Sequence, residues 1–215
     1  MSNLLRHCAI STTAVAVLIL AGCSQSTPPK TSASAQPAVT TQPEAPAEIV
    51  AAKTAFWPMY TAARNWAPDI VVLRITAKEV PGFKNEGGKA AMWEAAFASP
   101  SRHEYRVDSY SIATVPPYIH KGVMTGLRMP WGGATRTVMP VDLSMFNIDS
   151  DDAYKAAAGD AADWLKKNPD KGLATLEVGA THKTPGPAWY FMWGTKKSGY
   201  SALVDASGGK VLKHI

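Results

Sequence analysis

Cysteine is scarce in this chain, which has 215 residues and only two thiols, Cys8 and Cys23. Because both precede residue 24, no disulfide can form within the rest of the chain. Long apolar runs are also lacking, since the stretch centred on residues 14–20 is too short to span a bilayer, which takes about 20 residues. Charge is sparse and interleaved, with 18% charged residues and a formal net charge of +5, which argues against a nucleic-acid partner.

The first 23 residues have the layout of a secretory signal, in which Arg6 precedes the apolar stretch and small residues follow it. The signal ends in Leu20-Ala21-Gly22-Cys23, which resembles the lipobox of bacterial lipoproteins. The resemblance implies removal of residues 1–22, a thioether-linked diacylglycerol on Cys23 and an acylated amine. Two or more acyl chains anchor a protein stably without a transmembrane helix. The alternative is a plain signal peptide in which the cysteine is incidental.

Ser24 follows the predicted lipidation site. In enteric bacteria an aspartate at this position is the usual signal for inner-membrane retention, so the serine resembles the class directed to the outer membrane. We therefore expect a chain anchored in the cell envelope through Cys23, in the outer membrane and facing the periplasm. The membrane is the first predicted partner.

Residues 23–47 form a predicted linker. After the cysteine the composition is mainly Ser, Thr, Pro, Ala and Gln, and no aromatic residue occurs. Such a segment cannot bury a core and is predicted to be disordered. At about 3.1 Å per residue in extended polyproline form, it would reach on the order of 70 Å from a membrane. The folded part is therefore expected to begin near Glu48.

Two segments of the remaining chain share one order of predicted elements, a helix followed by antiparallel strands. In residues 48–117, apolar residues at helical spacing end near Trp66, and strands are predicted at 70–75, 90–97 and 102–112. In residues 149–215, Ser150 is the predicted cap of a helix that ends before Asn168, and strands follow at 173–181, 188–194 and 200–205.

The two segments also match in detail, which indicates an internal duplication. Trp93 aligns with Trp189, Asp108 with Asp205, and residues 66–69 with residues 167–170. Between the segments, residues 118–148 contain Gly132-Gly133 flanked by alternating residues, a pattern that predicts a bridging hairpin. The predicted fold is α+β, with two related modules that each pack a helix on a small antiparallel sheet.

The end of the chain resembles a known family. Pro187-Ala188-Trp189-Tyr190-Phe191, followed by residues 200–211 with Val204-Asp205-Ala206 and Gly209-Lys210-Val211, is similar to the closing strands of PepSY and PepSY-like domains. The resemblance covers about residues 149–215, with a fainter copy over residues 56–112. It implies small α+β modules, secreted or membrane-attached, that are proposed to inhibit or regulate peptidases. It brings no catalytic residues.

The sequence lacks the usual motifs for catalysis or metal binding. Of the five histidines, His103, His120, His182 and His214 follow the predicted signal peptide and are scattered without ligand spacing, so we expect neither a metal nor a cofactor. Residues 147–152 imitate the start of a calcium loop, but the glycine and the closing glutamate are missing, which favours helix capping. No Gly-x-Ser-x-Gly elbow occurs. The chain is therefore predicted not to be an enzyme, and an uncatalogued hydrolase stays a lesser alternative.

Aromatic and basic residues supply the candidate binding positions. Four of the seven tryptophans match between the segments and are predicted core, whereas Trp131, beside Pro130 and Gly132, is the candidate exposed recognition residue. Lys196 and Lys197 lie at a predicted loop tip, which is either a solvated face or a surface for acidic partners. The predicted function is binding or regulation of another protein, and the family resemblance implies a peptidase. The alternative is a structural or assembly factor that binds protein or peptidoglycan.

Overall fold

The structure, a computed structural model, describes residues 47–184 and 186–214. The predicted signal peptide, Cys23 and all of the predicted linker except Ala47 lie outside the described residues. The described chain is α+β, as predicted. Its elements in chain order are α1 Ala52–Trp66, β1 Val71–Lys78, β2 Met92–Ser99, β3 Glu104–Ser111, β4 Gly122–Met124, β5 Met129–Pro130, a 3-10 turn Leu143–Met145, α2 Ser150–Asp160, α3 Ala162–Lys167, β6 Leu173–Gly179, β7 Ala188–Trp193, β8 Tyr200–Asp205 and β9 Val211–His214.

All nine strands belong to one antiparallel sheet, with the order β4-β3-β2-β1-β6-β7-β8-β9 and β5 also paired to β3. The first strands of the two segments meet at the centre, where residues 74–76 of β1 pair with residues 177–179 of β6. The two segments therefore share one continuous sheet. No helix within the described residues is long and apolar enough to cross a membrane.

The helices α1 and α2 pack on one face of this sheet. From α1, Phe56 and Met59 are fully buried, and the Phe56 ring stacks on Phe97 of β2 with 6.2 Å between centroids. From α2, the Tyr154 ring lies 6.0 Å from that of Phe191 on β7. Burying an aromatic side chain of this size contributes about 1.5–3 kcal/mol, so these contacts fix the helices on the sheet.

Two buried indoles occupy matching places in the two segments. Trp93 Nε1 donates to the backbone oxygen of Val50, and Trp189 Nε1 donates to that of Ile148, both at 3.0 Å. Each acceptor lies two residues before the first residue of a helix, α1 or α2. A buried indole needs a partner for its N–H, and here the partner also fixes where each helix starts.

The predicted match between Asp108 and Asp205 is wrong. On β8, Asp205 lies opposite Ala188, the residue just before Trp189. The corresponding position on β3, opposite the residue just before Trp93, is Ser111. Asp108 lies opposite the residue two positions after Trp93. The corresponding position on β8, opposite the residue two positions after Trp189, is Ala202. Counting residues along the chain missed this difference because the turns between the paired strands differ in length.

The start of α2 differs from the prediction, since Asp149 is the N-cap and Ser150 is the first helical residue. Asp149 Oδ1 accepts from the backbone N–H groups of Ser150 at 2.7 Å and Lys53 at 3.0 Å. Ser150 Oγ accepts from Ala52 N at 2.8 Å. The two residues thus satisfy free N–H groups at the start of both α1 and α2. The predicted single helix is also divided at Ala161, where α2 ends and α3 begins.

The segment 118–148 does not form the predicted bridging hairpin, because β4 and β5 both pair with β3 as one interrupted edge strand. Ser109 lies opposite Met124 and Tyr105 opposite Met129, so the edge carries one extra residue. The bulge includes Gly126, where a Cβ atom would lie 2.1 Å from the Val107 oxygen. Gly132-Gly133 follows this edge in the connection toward the centre of the sheet.

Candidate binding surface

The sheet face opposite the helices is called here the open face. Side chains alternate along a strand, so every residue between two core residues points to this face. On β2 the core residues are Trp93, Ala95 and Phe97, and the partly exposed residues between them are Glu94 and Ala96. The other open-face residues of the central strands include Arg74, Thr76, Lys78, Tyr105, Val107, Glu177, Tyr190 and Leu203.

Two cavities on the open face join at the line where the two segments meet. The first has a volume of about 610 Å³ and extends over β6, β7 and β8, with Tyr190 and Leu203 in its lining. The second, of about 500 Å³, extends over β1, β2 and β3. Four residues line both cavities: Leu73, Arg74, Val138 and Glu177. The cavities therefore adjoin on the open face, and the two together are called the central groove below.

The connection from β5 to α2 forms one wall of the central groove. Hydrogen bonds fix it to the second segment, because His182 N donates to the Arg136 oxygen and Met139 N to the Ala180 oxygen, both at 3.0 Å. Val141 N donates to the Val72 oxygen of β1 at 2.7 Å. With its backbone tied at three points, the connection holds Val138 between the two cavities.

Ion pairs cross the floor of the groove. Arg74 Nη1 lies 3.6 Å from Glu177 Oε2, and their side chains are 44% and 26% exposed. Lys78 Nζ lies 3.4 Å from Glu94 Oε2. Partly exposed pairs such as these contribute about 1 kcal/mol or less, so a ligand can replace either partner at little cost.

The chemistry of the groove suits binding. Glu177 is paired with Arg74. The Arg74 side chain stays protonated, so Arg74 cannot act as a general base. Within residues 47–184 and 186–214, no group of three His, Cys, Asp or Glu side chains is placed to hold a metal ion. Apolar and aromatic lining with a few charged groups is typical of sites that bind a peptide or another ligand.

The structure places Trp131 near the groove and the two predicted lysines elsewhere. Trp131 is half-buried, its backbone N–H donates to the His103 oxygen at 2.8 Å, and it lines a third open-face cavity of about 390 Å³ with Tyr105 and Val138. Lys196 and Lys197 are exposed in the turn between β7 and β8. The structure does not bring them to Trp131, and the binding roles of all three stay predictions.

Among the described residues, the most deeply buried carboxylate is that of Asp108, which lies on the helix side and not in the groove. Asp108 Oδ2 accepts from Arg106 Nη2 at 2.8 Å, and Oδ1 accepts from Gly126 N at 3.2 Å. Burial raises the pKa of the Asp108 carboxyl, and the attraction of the Arg106 guanidinium opposes that rise. Because the Asp108 side chain is fully buried, no substrate can reach it, and its role is structural.

Sequence reasoning missed the groove residues Arg74, Val138, Glu177 and Tyr190. Strand alternation could have shown that β1, β6 and β7 each have a half-polar face. It could not show that these faces form one groove, because that depends on the pairing of β1 with β6. A β-bulge between Val72 and Arg74 also shifts the alternation along β1.

Comparison with known proteins gives little to add. No protein-family model matches the sequence, and no curated protein matches it. Among solved structures, a candidate lipoprotein from Clostridium difficile is similar at 11% identity with a TM-score of 0.47, over 73% of this chain and 89% of that one. A TM-score below 0.5 does not establish a shared fold.

Proposed function

We propose that this chain is a non-catalytic lipoprotein of the cell envelope that binds another protein through the open face of its sheet. The observation that carries the proposal is the central groove, about 610 Å³ in its larger part, at the line where the two segments meet. A groove of mixed apolar and charged lining suits a segment of a protein. The two groove carboxylates, Glu177 and Glu94, are each ion-paired, with Arg74 and Lys78, which favours binding over the hydrolase alternative.

The proposed anchor is Cys23, in the outer membrane and facing the periplasm, as the lipobox and Ser24 indicate. Ala47, the first described residue, packs against the cluster of Val80, Ala91 and Ile112, where β1 ends. The larger cavity is lined by Leu73 at the other end of β1. A tether that enters beside Val80 therefore leaves the larger cavity free for a partner.

A peptidase is the partner class that the PepSY resemblance supports. The resembling residues lie on β7 and β8 and reach the start of β9, and they include the groove residues Ala188, Tyr190 and Leu203. Regulation would then come from contact of this surface with the peptidase. A structural or assembly factor that binds envelope protein or peptidoglycan is the second candidate, because the same groove accepts any extended ligand of suitable charge.

Photo-crosslinking in the native envelope tests the binding surface. A photoreactive amino acid is placed at Tyr190 in the groove or, as the control, at Trp57, which is 48% exposed on α1. We expect a specific protein adduct from Tyr190 and none from Trp57. Adducts from Trp57 alone would refute the proposal. A captured peptidase whose hydrolysis rate changes on addition of the purified lipoprotein supports regulation, and a captured structural protein supports the second candidate.

Metabolic labelling with palmitate tests the anchor. We expect the native chain to incorporate label and to fractionate with the outer membrane, because acyl chains on Cys23 contribute about 0.8 kcal/mol per buried methylene. Cys23→Ala is expected to abolish the label, and Cys8→Ala is the matched control that should leave it unchanged. Label that persists in Cys23→Ala would contradict lipidation at this residue.

A further inference from the structure

The charges around the larger cavity of the central groove are unbalanced. Arg74, Lys183 and Lys213 contribute three positive charges, and Glu177 contributes one negative charge. Glu177 is paired with Arg74. Among the described residues, Lys183 and Lys213 have no ion-pair partner within 4 Å. The cavity therefore presents two unpaired cations at its rim and attracts a ligand with negative charge.

The rest of the lining selects for apolar side chains. Leu73, Val138, Ala180, Ala188 and Leu203 supply aliphatic surface, and Tyr190 supplies an aromatic side chain. A small hydrophilic anion would leave this surface without contacts. We propose that the central groove binds an extended peptide segment in which acidic residues alternate with apolar ones. The inference rests on the proposed function and names the chemistry of the bound segment.

The dimensions of the open face set the length of that segment. Groove lining extends from Tyr105 on β3 to Leu212 on β9, which spans six strand-to-strand spacings. At about 4.8 Å each, these spacings total about 29 Å, which matches about nine residues of extended chain at about 3.3 Å per residue. The backbone groups of the central strands are already paired within the sheet, so the peptide lies across the strands and is held by side-chain contacts.

Fluorescence anisotropy of the lipidated full chain in non-ionic detergent micelles tests the proposal. The probe is a fluorescein-labelled nonapeptide that alternates glutamate with valine, and the control peptide has lysine in place of glutamate. We expect binding of the acidic peptide alone, weakened by added salt. Replacing both lysines in Lys183→Gln/Lys213→Gln should raise Kd about five-fold. The matched variant Lys166→Gln/Lys167→Gln removes the same charge from the exposed end of α3 and should leave Kd unchanged.

Glu177→Gln adds a test of sign. It removes the one carboxylate of the larger cavity, so the acidic peptide should bind more tightly, about two-fold or more. Equal weakening by the two double-lysine variants, or weaker binding by Glu177→Gln, would overturn the assignment. So would binding to vesicles of anionic phospholipid that depends on Lys183 and Lys213 while the peptide does not bind.

The outcomes separate this inference from the proposed function. A protein adduct at Tyr190 together with no affinity for the acidic peptide would refute the inference and leave the proposed function intact. If the adduct forms only at Trp57 and the peptide does not bind, both fail. Peptide binding that depends on Lys183 and Lys213 supports the inference.

Discussion

Removing the buried carboxylate of Asp108 is expected to destabilise the fold by about 3–5 kcal/mol. In Asp108→Ala, the Arg106 guanidinium stays buried and keeps one accepting oxygen, that of Ala62 at 3.1 Å. The guanidinium also lies over the Trp66 ring, 4.8 Å from its centroid, so it cannot reach water without breaking that contact. The loss of a buried partner leaves an uncompensated charge, and this charge accounts for most of the expected effect.

The same substitution also loosens the edge of the sheet. Asp108 is the acceptor for the backbone N–H of Gly126, within the bulge between β4 and β5. An N–H group left without an acceptor costs about 1–3 kcal/mol when it stays buried, and less if water reaches it at the edge. The two losses are not additive, because release of the bulge would admit water to both groups.

Urea unfolding measures the effect. Asp152→Ala is the control, because it removes an exposed partner of Lys155 and should change the free energy of unfolding by about 0.5 kcal/mol or less. The double variant Arg106→Met/Asp108→Ala should recover about 2 kcal/mol or more relative to Asp108→Ala, since no charge then stays buried. A loss below about 1 kcal/mol in Asp108→Ala would refute this reasoning.

Two further predictions concern a glycine and a carboxylate. Gly88 and Gly82 both have positive φ, +79° and +84°, but a Cβ atom at Gly88 would lie 2.3 Å from a backbone oxygen of α2 and one at Gly82 would have nothing within 4 Å. We expect Gly82→Ala to lower the free energy of unfolding by about 1–2 kcal/mol through backbone strain. Gly88→Ala adds the clash with α2 and should lower the free energy of unfolding by about 3 kcal/mol or more. Equal losses in urea unfolding would contradict the clash. Hydrogen bonds from the Ser99 hydroxyl and the Ser101 backbone N–H hold the pKa of the Asp69 carboxyl at about 2. The stability that ionised Asp69 contributes is therefore present above pH 3.8 and is lost as the pH falls toward 2. Ser99→Ala should raise that pKa toward 3.8 in an NMR titration of the carboxyl, so that the loss begins at higher pH, and an unchanged pKa would contradict the assigned cause.

The secondary structure could be predicted from residue periodicity because most elements bury one regular face. The stripe that ends at Trp66 and the alternation around Trp93 and Trp189 each describe a side packed on the core. The α+β class follows from their order. The cap at Asp149 could not be chosen from the sequence, because Asp149, Ser150 and Asp151 are all capping residues and only the contact with α1 decides between them.

The site could be predicted only in part, since it depends on long-range pairing. The glycine pair beside Trp131 predicts an exposed recognition residue, and Trp131 lies against the open face because β5 pairs with β3. That pairing is two residues long and has no period to detect. Arg74 and Glu177 are 103 positions apart and meet through the pairing of β1 with β6, which the local sequence does not encode.

The most direct measurement of the central claim is the affinity of the crosslinked partner for a chain whose groove is filled. Gly179 lines the larger cavity, and a Cβ atom there would make only ordinary contacts, 3.6 Å from the Leu73 oxygen. Gly179→Trp should therefore keep the fold and occlude the groove. Gly159→Trp is the control, because Gly159 is exposed on α2 with nothing within 4 Å of its Cβ position. We expect Gly179→Trp to weaken the partner at least ten-fold, a loss of about 1.4 kcal/mol, and Gly159→Trp to leave Kd unchanged. A folded Gly179→Trp chain that binds as tightly as the native one would contradict binding through the open face.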